Sequence, residues 1–430
     1  MATQQIPLMI SVAPFPEGWQ GDIDEHGQQL VQLMEAYVEG NFLVGLILPP
    51  GSTLPTTDQG PIAMGGQWYF YDPVSGQYLL QAPSKVSRNC AKNPVYQIQQ
   101  LPLTLPYQLP AGAPTNTWDM VVARTGATAN VLQANIDVGP AASPDNDYCP
   151  SAIKYTVTPQ VVATLASSDL YAHEHLIEGS DIQMLQGEPL TLAFSAWANA
   201  PGVYSAYLTS GARDVSYTVN FTVTTPNVWQ RVKIPDIPAI PVGTGTWTFG
   251  EGTTGIRIGV VMALGGQYQT AQTGKWLGGF FAGTSQNLNM CGVLNNQLKI
   301  SGVKFEGNTT ATYLSVNPFE GDYFECIRYY FTTFNYQSLT AGLPFIMQSQ
   351  SNNNAVGSML FGRRMCKAPS VVPYGWTSHA AGNVTDMSNG TDVATASLPA
   401  VNKGCGGSIV TTGTKGDTFA CLIVADARLT

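Results

Sequence analysis

Residues 215–223 read VSYTVNFTV, with Tyr217, Val219, Phe221 and Val223 alternating strictly with Thr218, Asn220 and Thr222. A period of two puts alternate side chains on opposite faces of an extended chain, which predicts an antiparallel strand with one face in a core. LTLAFSAWA (190–198), GIRIGVVMAL (255–264) and LKISGVKF (298–305) have the same character. The linkers are rich in turn formers, as in KIPDIPAIPVGTGTWTFGEGTTG, and no helical period interrupts them. Ser301-Gly302 breaks the alternation of the last run and predicts a bulge. Many strands and frequent turns predict a mainly β chain built on an antiparallel β-sandwich of jelly-roll type. No period of 20–50 residues recurs, so a solenoid or propeller is not expected.

The ends of the 430-residue chain differ from its centre. In residues 1–84, Asp22-x-x-Glu25 reads as a capping box followed by Leu30, Leu33, Met34, Tyr37 and Val38 at helical spacing. The apolar run FLVGLIL (42–48) follows, then two aromatic strands in GGQWYFYDPVSGQYLLQ around the turn at residues 72–76. One helix and a few strands make a thin core, so this α+β section is expected to complete itself against another chain. Leu30, Leu33, Met34, Tyr37, Trp68, Tyr69 and Tyr71 are its candidate anchoring and oligomer-interface residues. The sandwich is assigned to 85–318. Residues 319–430 are assigned to a linking helix, with Asp322-x-x-Glu325 as its capping box, and a small C-terminal β domain closed by the hairpin GSIVTTGTKGDTFACLIVADARL.

Charge narrows the partners. Only 11% of residues are charged, against about 25% in ordinary soluble domains, which suits a subunit that hides surface against copies of itself. The net charge is −9, and the densest basic patch is Arg363, Arg364 and Lys367. Phosphate backbones are bound by clustered Lys and Arg, so no nucleic-acid partner is expected. The N-terminus lacks the pattern of a signal peptide, and no run is long enough to span a bilayer; a soluble chain without membrane insertion is expected. Seven widely spaced cysteines, none in a C-x-x-C pair, are expected to be free and mostly buried, with Cys405 and Cys421 close enough for a bridge to be weighed.

Catalytic patterns are weak. Residues 250–255 spell G-x-G-x-x-G but run into a strand, whereas a dinucleotide fingerprint must open a helix. His173-Glu174-His175 puts two imidazoles on one side of a strand, yet no third metal ligand lies near in sequence. Asp145-Asn146-Asp147 reads equally as a calcium contact or a turn. No G-x-S-x-G occurs, and the acids Glu306, Glu320, Asp322 and Glu325 single out no glycosidase pair. No enzyme, metal or cofactor is expected. Aromatic residues remain, because sugars stack their apolar faces on Trp or Tyr. Tyr374, Trp376 and His379 form the candidate carbohydrate site; Trp247 and Trp276 lie in Gly/Thr-rich turns, and Trp197, on a strand, is expected in the core.

Residues 150–330 carry, in order, HLIEGSDIQMLQGEPLTLAFSAWANAPGVYSAYL, SYTVNFTV, VWQRVKIPDI, GIRIGVVMALGGQYQTAQTGKW, LKISGVKFEG and ECIRYY. This order resembles that of bacteriophage fibre and virion proteins with a jelly-roll domain similar to carbohydrate-binding modules. RRMCKAPSVVPYG and ADARL resemble strands of the domain that often follows. Ile327 departs from the polar residue usual before the arginine, and NTTATYL keeps only part of the usual segment after the acidic glycine. The resemblance implies a non-enzymatic virion structural protein, assembled in the host cytoplasm: a homotrimeric fibre or spike subunit, anchored to capsid or tail proteins by its N-terminus and contacting host-surface glycan. The alternatives are a capsid decoration protein without a receptor role, or a polysaccharide-degrading enzyme with a sugar-binding module.

Overall fold

The structure, a computed structural model, describes residues 88–430 except 102, 113, 128–130, 141–148, 336–341, 352–353, 395–397, 399, 410–414 and 430. Before residue 88 it describes 46–48, 56, 62–64, 67–72 and 77–81. The chain divides into two compact units, Met1–Val86 and Ser87–Thr430. In the first, Leu46–Leu48 pairs in parallel with Ile62–Met64, which pairs antiparallel with Gln67–Asp72. Gln67–Asp72 then forms a hairpin with Gln77–Gln81, with Asp72 opposite Gln77. Trp68, Tyr69 and Tyr71 lie on that strand. Leu30, Leu33, Met34, Tyr37 and the Asp22/Glu25 cap lie outside the described residues, as does Asp145-Asn146-Asp147.

The second unit contains the expected sandwich. One sheet orders its strands Gln230–Ile237, Leu190–Ala198, Gln297–Glu306, Ser151–Val157, Leu132–Val138 and Tyr107–Gln108. The other runs Trp276–Gly278, Val215–Val223, Gly202–Ser210, Thr254–Leu264, Leu170–Glu178, Val121–Arg124 and Thr115–Asn116. Adjacent strands are antiparallel, and the chain crosses repeatedly between the sheets, as in a jelly roll. Alternation explains the core: Leu192 and Phe194, Tyr217 and Phe221, and Ile256, Ile258 and Val260 all point between the sheets. The predicted bulge is present at Gly302, whose φ is +62°. There Ala193 and Ser195 oppose Lys304 and Ser301, so one strand holds an extra residue, and Leu298, Ile300, Val303 and Phe305 all reach the core.

The outer face of the seven-stranded sheet is covered too. Ser216, Thr218 and Asn220 are the polar half of VSYTVNFTV, and they bond a strap crossing the sheet. Ser216 and Thr218 hydroxyls donate to the Gly279 and Phe281 carbonyls, each at 2.9 Å, and Asn220 Nδ2 donates to Thr284 Oγ1 at 3.0 Å. Elsewhere on this face Met120, Val122 and Leu176 join Phe345, Met347, Phe419, Cys421 and Ile423 in one hydrophobic cluster. Those five partners belong to a nine-stranded sheet centred on Thr418–Asp426, so the C-terminal strands form a third layer on the sandwich.

A buried carboxylate ties that layer down. Glu178, at the end of the Leu170–Glu178 strand, accepts from Arg328 Nη2 (3.0 Å), Tyr329 Oη (2.7 Å) and the Gly252 N–H (2.6 Å). Burial alone would raise its pKa; Arg328, Gly252 and Tyr329 together outweigh that and hold it below the usual carboxylate value. The helix before Arg328 spans Phe319–Cys326 and starts at Pro318, with no side-chain cap. The capping box expected at Asp322-x-x-Glu325 is therefore corrected. Asp322 lies inside the helix and accepts from Gln97 Nε2 (2.8 Å) and Asn317 Nδ2 (2.9 Å), while Glu325 pairs with Arg363 at 2.9 Å. Tyr329 and Tyr330 are both buried. All seven cysteines are free and buried.

Glu174, Gly259 and Tyr207 are directly opposite one another on three adjacent strands. The bare glycine lets the Tyr207 ring lie across the sheet, and its hydroxyl donates to Glu174 Oε1 at 2.7 Å. A Cβ at position 259 would stand 2.1 Å from that ring. Gly259→Ala is expected to displace Tyr207 and lower stability by about 2–5 kcal/mol, summing overpacking and a lost charged hydrogen bond. A urea-unfolding midpoint unchanged from wild type would refute this.

Candidate functional site

The sequence candidates scatter. Tyr374 lies on the strand Ser370–Gly375, and Trp376 begins the turn after it. The turn folds back through His379, whose N–H donates to the Gly375 carbonyl at 2.9 Å. Phe334 gathers two of the rings: Tyr374 meets it edge-on at 5.3 Å, and His379 lies at 6.3 Å. Trp376 packs on the same small cluster, with Tyr330 and Leu422. The three residues are thus brought together, half-buried, on a supported apolar base.

His173, Glu174 and His175 are divided by the strand. His173 points into the sandwich, where Tyr96 Oη is 2.9 Å from Nε2 and Tyr155 Oη is 2.9 Å from Nδ1. A neutral imidazole has one N–H and one lone pair, so one tyrosine donates and the other accepts. Burial holds His173 well below the ordinary histidine pKa and lowers His175 to about 4. Glu174 faces the opposite side. Gly250 and Gly252 lie in a turn leading into the strand Thr254–Leu264, which contains Gly255, and the Gly252 N–H donates to Glu178. Among the described residues no group of three or more His, Cys, Asp or Glu is placed to hold a metal ion, and no helix is long and apolar enough to cross a membrane.

Trp197 is the residue that sequence reasoning misplaced. Its neighbours Leu192, Phe194, Ala196 and Ala198 fill the core, and period two sends Trp197 to the outer face of the six-stranded sheet. The regular alternation of LTLAFSAWA carried that signal. Cross-strand partners set a row of Trp197, Lys299, Lys154 and Asn135. Lys299 Nζ lies 4.2 Å from the Trp197 ring centroid. Asp137 joins the row, 2.7 Å from Lys154 Nζ and 3.2 Å from Lys299 Nζ. Burial pushes the Asp137 pKa up, but the lysines and the Val138 N–H outweigh it and hold it below the usual value. The outcome is a partly buried indole with the Lys299 ammonium over its ring and fixed donors and acceptors alongside; an aromatic ring with polar neighbours is the combination that contacts a sugar. Trp247 and Trp276 instead meet edge-to-face at 5.5 Å, and their indole N–H groups are bonded to the Thr244 and Pro238 carbonyls.

No family model matches the chain, and no curated protein matches it. The solved structures it is similar to include carbohydrate-binding modules and an exo-beta-agarase, 9% identical, of which 26% is covered at a TM-score of 0.26. TmCBM61, solved in complex with beta-1,4-galactotriose, is 13% identical, with 52% of this chain and 100% of that chain covered at a TM-score of 0.25. A family 30 carbohydrate-binding module is 13% identical, with 49% and 92% covered at 0.25. The family 11 module from Clostridium thermocellum, in complex with a beta-1,3-1,4-mixed-linked tetrasaccharide, is 8% identical, with 45% and 91% covered at 0.24. At these scores whole chains do not superpose, and the sandwich assignment rests on the strand pairing above.

Proposed function

We propose that the chain is a non-enzymatic structural subunit of a bacteriophage particle, a homotrimeric fibre or spike anchored by its first section to capsid or tail proteins and meeting host-surface glycan. The observation that carries this reading is the meeting of Glu178 with Arg328 and Tyr329. These residues come from HLIEGS and ECIRYY, two of the segments on which the resemblance to virion proteins rests, and they lie 150 and 151 positions apart. Segments that weld a sandwich to its third layer suit a subunit selected for rigidity. The buried anions Glu174 and Glu178 are committed to arginines, a structural use of charge. Leu360 and Val401 flank Gly404 on the terminal sheet and are 80% and 64% exposed, an apolar stripe suited to subunit contact.

Glycan contact is assigned to the Trp197 row, with Tyr374, Trp376 and His379 as a second aromatic face. Light scattering of the purified chain is expected to give a trimer, and antibody labelling of purified particles should decorate them. A monomer absent from particles would defeat the reading. On immobilised host-surface polysaccharide, Trp197→Ala is expected to weaken retention by about tenfold, the value of one aromatic stacking contact. Retention equal to wild type would remove the Trp197 row from the proposal and leave the second face to be tested in the same way.

A further inference from the structure

The outer face of the seven-stranded sheet holds a second constellation, between the strap and the terminal layer. Ala172, on one side of Glu174 along its strand, belongs to the apolar cluster lined by Phe280, and Leu176, on the other side, belongs to the cluster of the terminal sheet. Around the fully buried Glu174 carboxylate stand three guanidiniums. Arg213 Nη2 is 2.8 Å from Oε2, Arg257 Nη1 is 3.6 Å from the same oxygen, and Arg124 Nη1 is 3.8 Å from Oε1. Burial would raise the Glu174 pKa; the arginines outweigh it and keep the group an anion. Arg124 and Arg213 both draw on the single Glu174 carboxylate, which leaves positive charge in excess among the described residues around these two side chains.

Hydrogen bonding is just as unbalanced. A guanidinium offers five N–H donors, whereas a carboxylate has about four acceptor sites, and Tyr207 takes one of them. The Arg124 side chain hydrogen-bonds no described residue; the distant Glu174 oxygen and the face of Phe280, 5.7 Å from its Cζ, are its neighbours. Arg213 lies over the same ring at 5.9 Å, and its buried Nε has no partner among the described residues. The Arg124 and Arg213 side chains remain 18% and 24% exposed, while Arg257 is sealed at 4%. Two guanidiniums are thus held over one aromatic ring, with solvent access, idle donors and surplus charge.

The geometry points to an oxyanion-binding site in which Arg124 and Arg213 grip a carboxylate, sulfate or phosphate group of a ligand. Glu174, Tyr207 and Arg257 lie beneath and hold the two guanidiniums in position. Planar N–H forks match such oxyanions, and the half-buried setting strengthens each bond relative to open water. This goes beyond the glycan reading, since it needs no sugar ring and lies on the other sheet.

The test is calorimetric titration of the full chain with sodium sulfate, sodium phosphate and sodium glucuronate, against sodium chloride at matched ionic strength and neutral glucose. At least one oxyanion is expected to bind where chloride and glucose do not. Tightest binding by glucuronate would identify an acidic sugar as the source, by sulfate a sulfate ester, and by phosphate a phosphorylated ligand. Arg124→Gln should weaken binding by about tenfold or more, the worth of one charged hydrogen bond. Arg213 and Arg257 still face Glu174 in that variant, so it should fold, and its thermal midpoint in chloride is measured beside the binding. Should it misfold, Arg213→Lys keeps the charge but loses the planar fork, and is expected to bind about tenfold more weakly. Heats no larger than those of chloride for all three anions, or binding that survives both substitutions, would overturn the assignment.

Discussion

Glu174→Ala is expected to lower the stability of the second unit by about 3–5 kcal/mol, the usual consequence of removing one partner from a buried ion cluster. The magnitude follows from what remains. Arg257 is nearly sealed and would lose the Glu174 carboxylate that lies 3.6 Å from its Nη1. Tyr207 would lose the acceptor of its hydroxyl, and the cavity would lie beside the contact of Leu176 with the terminal layer. Whole domains are stable by only about 5–15 kcal/mol, so a loss of this size shows directly as a lower urea midpoint. Glu174→Gln separates the terms: it keeps an acceptor for Tyr207 and removes the charge alone. A midpoint shift worth less than about 1 kcal/mol in both variants would mean that solvent already neutralises the arginines.

The same cluster marks the limit of what the sequence revealed. Strands were legible because apolar residues at alternate positions have one physical use, and VSYTVNFTV, GIRIGVVMAL and LKISGVKF all form the strands their patterns predict. The other half of each alternation was ambiguous. Ser216, Thr218, Glu174 and Arg257 look like a solvated face, yet a strap and a third sheet cover them, and only tertiary contacts distinguish those cases. Period two also separates neighbours that look like a set: His173 and His175 go into the sandwich and Glu174 goes out. For Trp197 the period outweighed the general tendency of tryptophan to be buried. Gly259 reads as a flaw in a strand until Tyr207 is seen lying over it.

Lowering the pH from 7 to 5 is expected to destabilise the second unit, in a range above the ordinary carboxylate pKa. His173 and His175 are neutral in the fold, their pKa values depressed by burial, whereas in the unfolded chain each takes up a proton near pH 6.5. Their contribution is therefore complete above about pH 6.5 and is lost as pH falls below it, at about 1.4 kcal/mol per pH unit for each residue. Asp119 opposes them. Burial raises its pKa to about 6 against the bonds from Gln100, so the fold takes up its proton first and gains stability as pH falls through that value. Burial also raises the pKa values of Asp181 and Asp322, which act in the same direction as Asp119. At pH 5 about 4 kcal/mol from the histidines stands against about 1.4 kcal/mol from Asp119 and the gains of those two acids, so the net loss is at most about 2–3 kcal/mol. Glu174 and Glu178, with lowered pKa values, contribute nothing until pH falls below about 4.5. Urea unfolding at pH 7, 6 and 5 measures the slope, and His175→Leu should remove about half of the histidine part. A flat profile between pH 7 and 5 would mean that water reaches the imidazoles, and the tight Tyr96–His173–Tyr155 core would have to be abandoned.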